Sequence, residues 1–372
     1  MRPPRSLPGL LVSLLAAAVP TAHAALPVDS LRLPDGFHIS VAADALRSPR
    51  QISLADDGTL FVGSTSGEVT ALRDADGDGR FETRHRIADN LRLPAGVAFH
   101  DGDLYVSAVS RILRYPDIST RLADPGEPQT VTDALPSDGH HGLKHIAFGP
   151  DARLYVPIGA PCNVCDRAGY ARLTSMSADG KDVRVEALGI RNTVGFDWQP
   201  GSGQLWFSDN GRDWLGDDSP DDEINRVSRR GEHFGFPYCH AGGVRDPEFG
   251  DGRDCADFTA PVFGLGAHVA SLGIHFYRGE RFPERYRGAL FIAEHGSWNR
   301  SRKVGYRVVV MRFENGEAQS PEVFASGWLD GEHNWGRPVA LSETADGDLL
   351  LSDDQAGVIY RIRYDARESL KP

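Results

Sequence analysis

Asp57-Gly58-Thr59-Leu60-Phe61-Val62 is the stretch that decides the fold, because its pattern returns five more times along the chain. Asp-Gly supplies the positive-φ positions of a tight turn, and the apolar run after it indicates a half-buried strand. The other copies carry a leucine and a second bulky residue at the same point: Leu104-Tyr105, Leu154-Tyr155, Leu205-Trp206, Leu290-Phe291 and Leu349-Leu350. Successive leucines lie 44, 50, 51, 85 and 59 residues apart. A repeat of about 45 residues that holds several strands is typical of a β-propeller blade. Six copies therefore predict an all-β, six-bladed β-propeller.

The sequence around these copies predicts a single propeller domain over residues 25–372. We expect a first strand from Phe37 to Val41 and blades at about 45–90, 91–135, 140–185, 190–265, 270–325 and 335–365. The longest interval holds a loop insertion at about 211–267, rich in Gly, Asp and Pro. Loops of that length are usually functional or stapled. Because the loops at one end of a propeller converge on its axis, residues distant in sequence are expected to form one pocket there.

The first 24 residues predict a secretory signal peptide. Arg2 and Arg5 give a positive start, an apolar run follows from Leu7 to Val19, and Ala22-His23-Ala24 predicts cleavage after Ala24. The run is shorter than the roughly 20 residues needed to span a bilayer. We therefore expect a periplasmic or secreted protein whose mature chain does not insert into a membrane. An uncleaved anchor is the alternative.

The net charge and the cysteines limit the partners, metals and cofactors to be expected of this protein. Lys and Arg total 40 against 52 Asp and Glu, a formal net charge of −12 that argues against nucleic acid or anionic lipid as a partner. The four cysteines predict two local disulfides, Cys162–Cys165 and Cys239–Cys255. A four-cysteine zinc site is the alternative, and it requires the two pairs to converge. Asp166 stands where covalent haem attachment needs a histidine.

Polar side chains stand at corresponding points of several predicted blades, next to a blade strand. They are His140-His141, Arg191-Asn192, His268, Trp298-Asn299-Arg300 and Arg337. A neutral imidazole accepts a proton readily, since its ordinary pKa is about 6.5. A guanidinium binds carboxylates bidentately. Three arginines on different blades therefore predict a polyanionic ligand on the axis. Structural histidines and ion pairs between blades are the plain alternatives.

Two acidic segments are candidates for calcium. Residues 217–223 contain five carboxylates, and hard oxygen ligands at this density suit Ca²⁺, helped by the backbone carbonyls of Gly211 and Arg212. A solvated acidic loop is the alternative. Residues 74–79 begin like an EF-hand loop, but His85 occupies the position of the closing glutamate. We interpret that segment as a charged hairpin loop.

These motifs resemble the soluble quinoprotein sugar dehydrogenases, the glucose/sorbosone dehydrogenase family that uses pyrroloquinoline quinone (PQQ). The most specific pieces are the His140-to-Asp151 segment and Gly189-Ile190-Arg191-Asn192. Cys162-Asn163-Val164-Cys165 and the His295-to-Arg300 segment are similar to the sorbosone-dehydrogenase-type branch. The resemblance implies a six-bladed propeller, PQQ and Ca²⁺ as cofactors, and an external periplasmic electron acceptor such as a cytochrome or quinone.

The resemblance also implies roles for individual residues. His141 corresponds to the catalytic base, while Arg191 and Asn192 correspond to cofactor contacts, with Arg191 also near the reacting carbonyl. Gly211 and Arg212 correspond to the residues whose backbone oxygens hold calcium, with Asp222 and Glu223 as acidic neighbours. Three further residues correspond to positions around the cofactor: His268, Arg300 in place of a lysine, and Arg337 on a PQQ carboxylate.

The function implied is oxidation of an aldose or a sorbosone-like aldehyde by hydride transfer to the quinone, with His141 as general base. Val194 and Trp335 replace a polar side chain and a second arginine of the glucose-oxidising members. These departures put glucose itself in doubt as the substrate. Two alternatives stay open on the sequence alone: a calcium-dependent lactonase-type propeller without PQQ, and a propeller that binds a ligand without catalysis.

Overall fold

The strands that carry the six leucines belong to six separate sheets. The computed structural model describes residues 26–366, so the predicted signal peptide lies outside the described residues. Within this range the sheets form the six blades of a propeller, and the predicted fold class is confirmed. Each leucine lies in the second strand of its blade and is buried.

Each blade is an antiparallel sheet of four strands. From the axis outward, blade 1 contains Pro49–Leu54, Leu60–Ser64, Val69–Arg73 and Thr83–Ala88, and blade 2 contains Val97–His100, Asp103–Ala108, Arg111–Tyr115 and Gln129–Thr132. In the same direction, blade 3 contains Ala147–Phe148, Leu154–Ile158, Arg172–Met176 and Arg184–Leu188, and blade 4 contains Phe196–Trp198, Leu205–Asp209, Asp221–Arg226 and Phe263–Ala267. Blade 5 contains Ser271–Phe276, Leu290–Glu294, Arg307–Met311 and Glu322–Ala325, and blade 6 contains Pro338–Glu343, Leu349–Asp353, Val358–Tyr364 and Phe37–Ala43.

Short elements decorate this ring. Glu232–His233 adds a parallel fifth strand to blade 3. Three small hairpins pair Cys239–His240 with Val244–Arg245, Phe313–Glu314 with Glu317–Ala318, and Leu329–Asp330 with His333–Asn334. Single turns of 3₁₀-helix lie at Val28–Ser30, Ile118–Thr120, Cys255–Asp257 and Glu284–Tyr286. No helix in residues 26–366 is long and apolar enough to cross a membrane.

The ring is closed by the two ends of the described chain. Phe37–Ala43 pairs antiparallel with Val358–Tyr364 and forms the outer strand of blade 6. The predicted first strand is therefore confirmed, two residues longer than expected. Closure in this way ties the N-terminal segment to the last repeat by a full ladder of backbone hydrogen bonds.

The hydrophobic core is divided among the blade interfaces, and this division explains the repeated pair of a leucine and a bulky residue. Successive side chains of a strand point to opposite faces of the sheet. Leu60 packs in the cluster between blades 6 and 1, whereas Phe61 packs between blades 1 and 2. Leu104 shares the second cluster, and Tyr105 packs between blades 2 and 3. Each pair thus fills the interfaces on both sides of its own blade.

Both predicted disulfides form. The Cα atoms of Cys162 and Cys165 are 6.2 Å apart, and those of Cys239 and Cys255 are 5.6 Å apart. All four cysteines are consumed, so the zinc alternative is wrong. The predicted insertion at 211–267 contains two strands of blade 4, the short fifth strand of blade 3 and one small hairpin, joined by irregular loops.

Candidate active site

A polar pocket of about 280 Å³ opens at the axis, on the face where chain segments enter the innermost strands of blades 3, 4 and 5. Loops that join the second and third strands of blades 4 and 5 complete its wall. The lining residues are His140, His141, Arg191, Asn192, Asn210, Gly211, Asp213, Asp222, His268, Ala270, Trp298 and Asn299. Sequence reasoning named six of these as site residues: His141, Arg191, Asn192, Gly211, Asp222 and His268.

His141 is held so that one ring nitrogen is left for a ligand. Its Nδ1 lies 2.8 Å from the carbonyl oxygen of Ala160. A carbonyl only accepts, so Nδ1 carries the proton and Nε2 carries the lone pair. Within residues 26–366 no hydrogen bond to Nε2 is formed. Burial, with Arg191 and His140 nearby, lowers the pKa of His141 to about 2, so the imidazole is neutral.

The backbone of Gly159 packs directly against His141. A β-carbon at Gly159 would lie 2.7 Å from Cβ of His141 and 3.0 Å from its carbonyl oxygen. Real β-carbons do not approach other atoms so closely, so any larger residue would displace the His141 loop. Sequence reasoning did not single out Gly159, because the close approach joins two segments that the repeat pattern does not relate.

Arg191 is buried, and most of its donors are already engaged. Nε donates to the carbonyl oxygen of Asn163 at 2.8 Å, and Nη2 donates to Oδ1 of Asn163 at 2.8 Å and to Oδ2 of Asp213 at 2.9 Å. Nη1 donates to the carbonyl oxygen of Asn210 at 3.2 Å. Asn299 donates to the other oxygen of Asp213 at 2.7 Å, which links this cluster to blade 5.

The backbone of Arg191 and Asn192 is fixed by the carboxylate of Asp209, which was not among the predicted site residues. Asp209 ends the second strand of blade 4, and it accepts hydrogen bonds from the N–H groups of Arg191 at 2.8 Å and Asn192 at 2.6 Å. Burial raises the pKa of Asp209. Blade 6 repeats the arrangement, since Asp353 accepts from the N–H of Arg337 at 2.8 Å. The second strands of blades 4 and 6 both end in Ser-Asp, and this repeated pair is the sequence signal for an aspartate that fixes the neighbouring loop.

The predicted calcium side of the pocket is built on Gly211 and Asp222. Asp222 accepts hydrogen bonds from the N–H groups of Gly211 at 2.7 Å and Ala270 at 2.6 Å. Burial raises the pKa of Asp222 to about 6. The carbonyl oxygens of Gly211 and Arg212 accept no hydrogen bond from the part of the chain that the structure describes. Oxygen atoms of this kind suit a hard cation.

Glu223 lies behind the pocket rather than in its wall. It follows Asp222 on the same strand and therefore faces the other side of the sheet. There it accepts hydrogen bonds from the N–H of Ala241 at 2.6 Å and from Asn225 at 3.0 Å. Burial and the neighbouring Asp209 raise the pKa of Glu223.

The three remaining predicted residues take different positions. His268 lines the pocket, and its Nε2 bonds to the carbonyl oxygen of Gly216 at 2.8 Å. Arg300 bonds to the carbonyl oxygen of Asp217 and to the Asp218 carboxylate, in the acidic loop that was predicted as a calcium site. Arg337 donates to the carbonyl oxygens of His295 and Gly296. The structure does not bring Arg300 or Arg337 into the pocket wall.

Residues 74–82 form the group of carboxylates best arranged for a metal in the part of the chain that the structure describes. Asp74, Asp76, Asp78 and Glu82 offer oxygen atoms within 4.8 Å of one another. Glu82 joins the three aspartates from a position other than the one at which an EF-hand loop carries its closing glutamate, and the segment connects two antiparallel strands as a charged hairpin loop. The group lies on blade 1, and none of its residues lines the axial pocket.

Comparison with known proteins assigns the chain to a family. Residues 31–365 match the TrAA12-like family. The chain belongs to that family. A TrAA12-like assignment over this range covers all six blades of the propeller. The chain is also 35% identical over 356 residues to an uncharacterized protein of Borreliella burgdorferi, an alignment that covers 90% of this chain and 91% of that protein.

Solved structures extend the comparison. The holo form of the pyranose dehydrogenase PQQ domain from Coprinopsis cinerea matches with a TM-score of 0.76 and 18% identity, over 90% of this chain and 97% of that chain. The calcium structure of the carbohydrate-active enzyme of family AA12 from Trichoderma reesei matches with a TM-score of 0.77 and 20% identity, over 93% of this chain and all of that one. The predicted relation of this TrAA12-like chain to soluble PQQ-dependent sugar dehydrogenases is confirmed at the family level, and so is the predicted enzyme class, an oxidoreductase of the quinoprotein type.

Proposed function

We propose that this protein oxidises an aldose or a related, sorbosone-like aldehyde, with PQQ and Ca²⁺ bound in the axial pocket. The observation that carries the proposal is the convergence of His141, Arg191 and Asp222 on one small polar pocket. A holo PQQ domain and a calcium structure among the similar folds support it. We further propose that the signal peptide is removed, that residues 25–372 act as one domain, and that an external periplasmic acceptor takes up the electrons.

The pocket residues fit a quinone that carries several carboxylates. Arg191 places a buried guanidinium in the wall, paired with Asp213 at 2.9 Å, and Asn192 adds a directional amide. Ca²⁺ would supply further positive charge from the side where the Gly211 and Arg212 carbonyls and Asp222 lie. When bound, PQQ supplies the two-electron acceptor, which Ca²⁺ polarises as a Lewis acid.

His141 is the residue that would remove the substrate proton. Its Nδ1–H is committed to Ala160, so only Nε2 can accept a proton from a substrate hydroxyl. Burial lowers the pKa of His141 most, and the positive charge of Arg191 lowers it further. An anionic ligand beside Arg191 would offset the Arg191 contribution and raise the pKa of the imidazole by that part. Asp209 and Asn163 keep the Arg191 segment in place meanwhile.

The test is reconstitution of the purified protein with PQQ and Ca²⁺. We expect quinone absorbance in the loaded protein and dye reduction that depends on an added aldose or aldehyde. His141→Ala should keep the fold and PQQ binding and lower the rate by about 10²-fold or more. His333→Ala is the matched control, because that imidazole is exposed on a small hairpin and does not line the pocket. Absence of both quinone absorbance and dye reduction across a broad panel would reject the proposal.

A further inference from the structure

Two tryptophans stand exposed at the mouth of the axial pocket. Trp214 is 67% exposed and Trp298 is 66% exposed, whereas Trp206 and Trp328 are almost completely buried. Indole rings are usually buried because water disfavours their apolar surface. Exposed aromatic surface at the rim of a cleft commonly marks a ligand-binding surface. The exposure of the two rings therefore indicates that they do something other than pack the protein core.

The rings belong to one assembly with the pocket. Their centroids are 5.5 Å apart and their planes meet at 88°, an edge-to-face contact between blades 4 and 5. Trp298 itself lines the pocket. Asp213, which precedes Trp214, bonds to both Arg191 and Asn299, so the segments that carry the two rings are joined through one carboxylate.

The backbone of Trp214 is unusual for such a large residue. Its φ angle is +72°, in the left-handed region that favours glycine and crowds a β-carbon. Backbone strain of this kind tends to lie at ligand-binding and catalytic sites, where surrounding bonds enforce it. Here the Asn163 side chain holds the backbone next to Trp214 with two hydrogen bonds. It accepts from the N–H of Asp213 at 2.8 Å and donates to the Asp213 carbonyl oxygen at 3.0 Å.

We propose that Trp214 and Trp298 form a stacking platform for a pyranose ring of the substrate. The apolar C–H face of a pyranose packs against indole while its hydroxyl groups stay directed to water or to the polar pocket. The pocket lies near the lower limit of ligand cavities, which begin at about 300 Å³. A cofactor that fills it leaves the mouth as the place for the sugar, with its reacting hydroxyl toward Nε2 of His141. This inference rests on the proposed function and adds the substrate's binding surface.

The first test measures steady-state kinetics of the PQQ- and Ca²⁺-loaded enzyme with a panel of aldopyranoses and their disaccharides. Trp298→Ala and Trp214→Gly should each raise the sugar KM about tenfold, with kcat little changed, because stacking contributes binding shared by ground and transition states. Trp298→Phe should restore most of the affinity. Val323→Ala, which removes an exposed apolar residue on the outer strand of blade 5, is the matched control.

Each other outcome has a distinct meaning. An unchanged sugar KM with a raised KM for the electron acceptor would overturn the proposal and assign the platform to the acceptor. Unchanged values for both would also overturn it, and would make the exposed rings structural. Trp214→Gly suits the left-handed backbone, so its fold should be at least as stable as that of the wild type. A large loss of stability there would count against a ligand-binding role.

A second readout separates this inference from the proposed function. Tryptophan fluorescence of the PQQ-free protein is titrated with each aldopyranose, and PQQ binding is followed separately by quinone absorbance. A saturable fluorescence change that disappears in the Trp214→Gly, Trp298→Ala double variant supports the platform even if PQQ does not bind. PQQ binding and sugar oxidation without any fluorescence change, and with wild-type kinetics in the double variant, would retain the function and refute the platform.

Discussion

Two disulfide-closed loops support the axial pocket from different sides, and they do so by different means. The Cys162–Cys165 loop spans a sequence separation of 3 and lies between the second and third strands of blade 3. The Cys239–Cys255 loop spans a separation of 16 and follows the strand of blade 4 that carries Asp222. Both belong to the loops that the repeat pattern leaves irregular.

The short loop acts directly on a side chain of the pocket. Asn163, between its two cysteines, accepts two hydrogen bonds from Arg191 and exchanges two with the backbone of Asp213. The long loop acts through a buried charge. Asp246 has no exposed side-chain surface, and it bonds to Arg212 at 2.6 Å and to His240 at 2.9 Å. It thereby fixes the Arg212 segment, whose carbonyl oxygen is a candidate calcium ligand.

Because of this difference, we expect substitutions in the two loops to have different effects on the protein. Loss of a neutral hydrogen-bonding side chain such as Asn163 removes hydrogen bonds but leaves the charge of Arg191 paired with Asp213. Loss of Asp246 leaves the buried Arg212 guanidinium with only the exposed Glu248 carboxylate, at 3.4 Å, as a counter-charge, which is far more costly. We therefore expect the long loop to control stability and calcium affinity, and the short loop to control cofactor affinity.

The largest expected effect is that of Asp246→Asn. Removing one partner of a buried ion pair costs about 3–5 kcal/mol, so the free energy of unfolding measured in urea should fall by that amount at neutral pH. Burial opposes ionisation of Asp246, but bonds from His240 and Arg212 lower its pKa to about 2. Its contribution is therefore present above the ordinary aspartate pKa and is lost as pH falls toward 2. The difference between wild type and variant should shrink over that range.

A control variant and a contrary result complete this test. Glu248→Gln is the control, because its carboxylate is 62% exposed and contacts Arg212 only at 3.4 Å. It should change stability little. A loss for Asp246→Asn no larger than that of the control would show that the long loop does not support the pocket through this charge.

Removal of the disulfides should give the next largest effects. In the chain-entropy description, Cys239→Ser with Cys255→Ser costs about 3 kcal/mol, and Cys162→Ser with Cys165→Ser costs about 2 kcal/mol. The first pair should also raise the Ca²⁺ concentration needed for reconstitution, while the second should raise the PQQ concentration. Titrations of each double variant with Ca²⁺ and with PQQ check this. Equal shifts in both variants would remove the distinction between the loops.

Sequence patterns were enough to predict the blades because each leucine and its bulky neighbour must fill two interfaces at once. The pocket residues adjoining the inner strands of blades 3, 4 and 5 were predictable for the same reason: the repeat fixes where the axial loops lie. His141, Arg191, Asn192 and His268 belong to this group. Their placement follows from strand order, and two local motifs, His140 to Asp151 and Gly189 to Asn192, marked three of them as candidates.

The positions of other side chains depend on hydrogen-bond and ion-pair partners that the sequence alone does not identify. Arg300 and Arg337 occupy suitable loops, but nearby carbonyls and the Asp218 carboxylate hold their guanidinium groups. Asn163 was overlooked because its partners, Arg191 and Asp213, are 28 and 50 residues away and meet it only after the disulfide shapes its loop. Glu223 was assigned to the metal because strand alternation was not applied to the acidic run.

Asn163→Ala should separate cofactor affinity from stability more cleanly than the cysteine variants. It removes the side-chain oxygen that accepts from Nη2 of Arg191 and from the N–H of Asp213, at a cost of about 1–3 kcal/mol for an unsatisfied buried group, whereas the bond from Nε of Arg191 to the backbone carbonyl remains. We expect weaker PQQ binding by absorbance titration and an unchanged Ca²⁺ requirement. Val164→Ala, in the same disulfide loop, is the matched control. Normal PQQ affinity in Asn163→Ala would mean that Arg191 does not need this loop.

The smallest effect is expected in the titration of His141, followed by NMR of the cofactor-free protein. Its pKa is lowered to about 2, first by burial and then by Arg191. Wild-type His141 should therefore stay neutral from pH 8 to pH 5, where an ordinary histidine becomes protonated near pH 6.5. Asn163→Ala frees Arg191 to move away, so the midpoint should rise in that variant. The midpoint should not rise after loss of the Cys239–Cys255 disulfide, because that loop contacts Arg212 and not Arg191.

His141→Gln identifies the His141 resonance in the NMR spectrum. A wild-type midpoint near 6.5 would mean that neither burial nor Arg191 lowers the pKa of the imidazole. A rise in both variants would mean that the two loops act on a single unit.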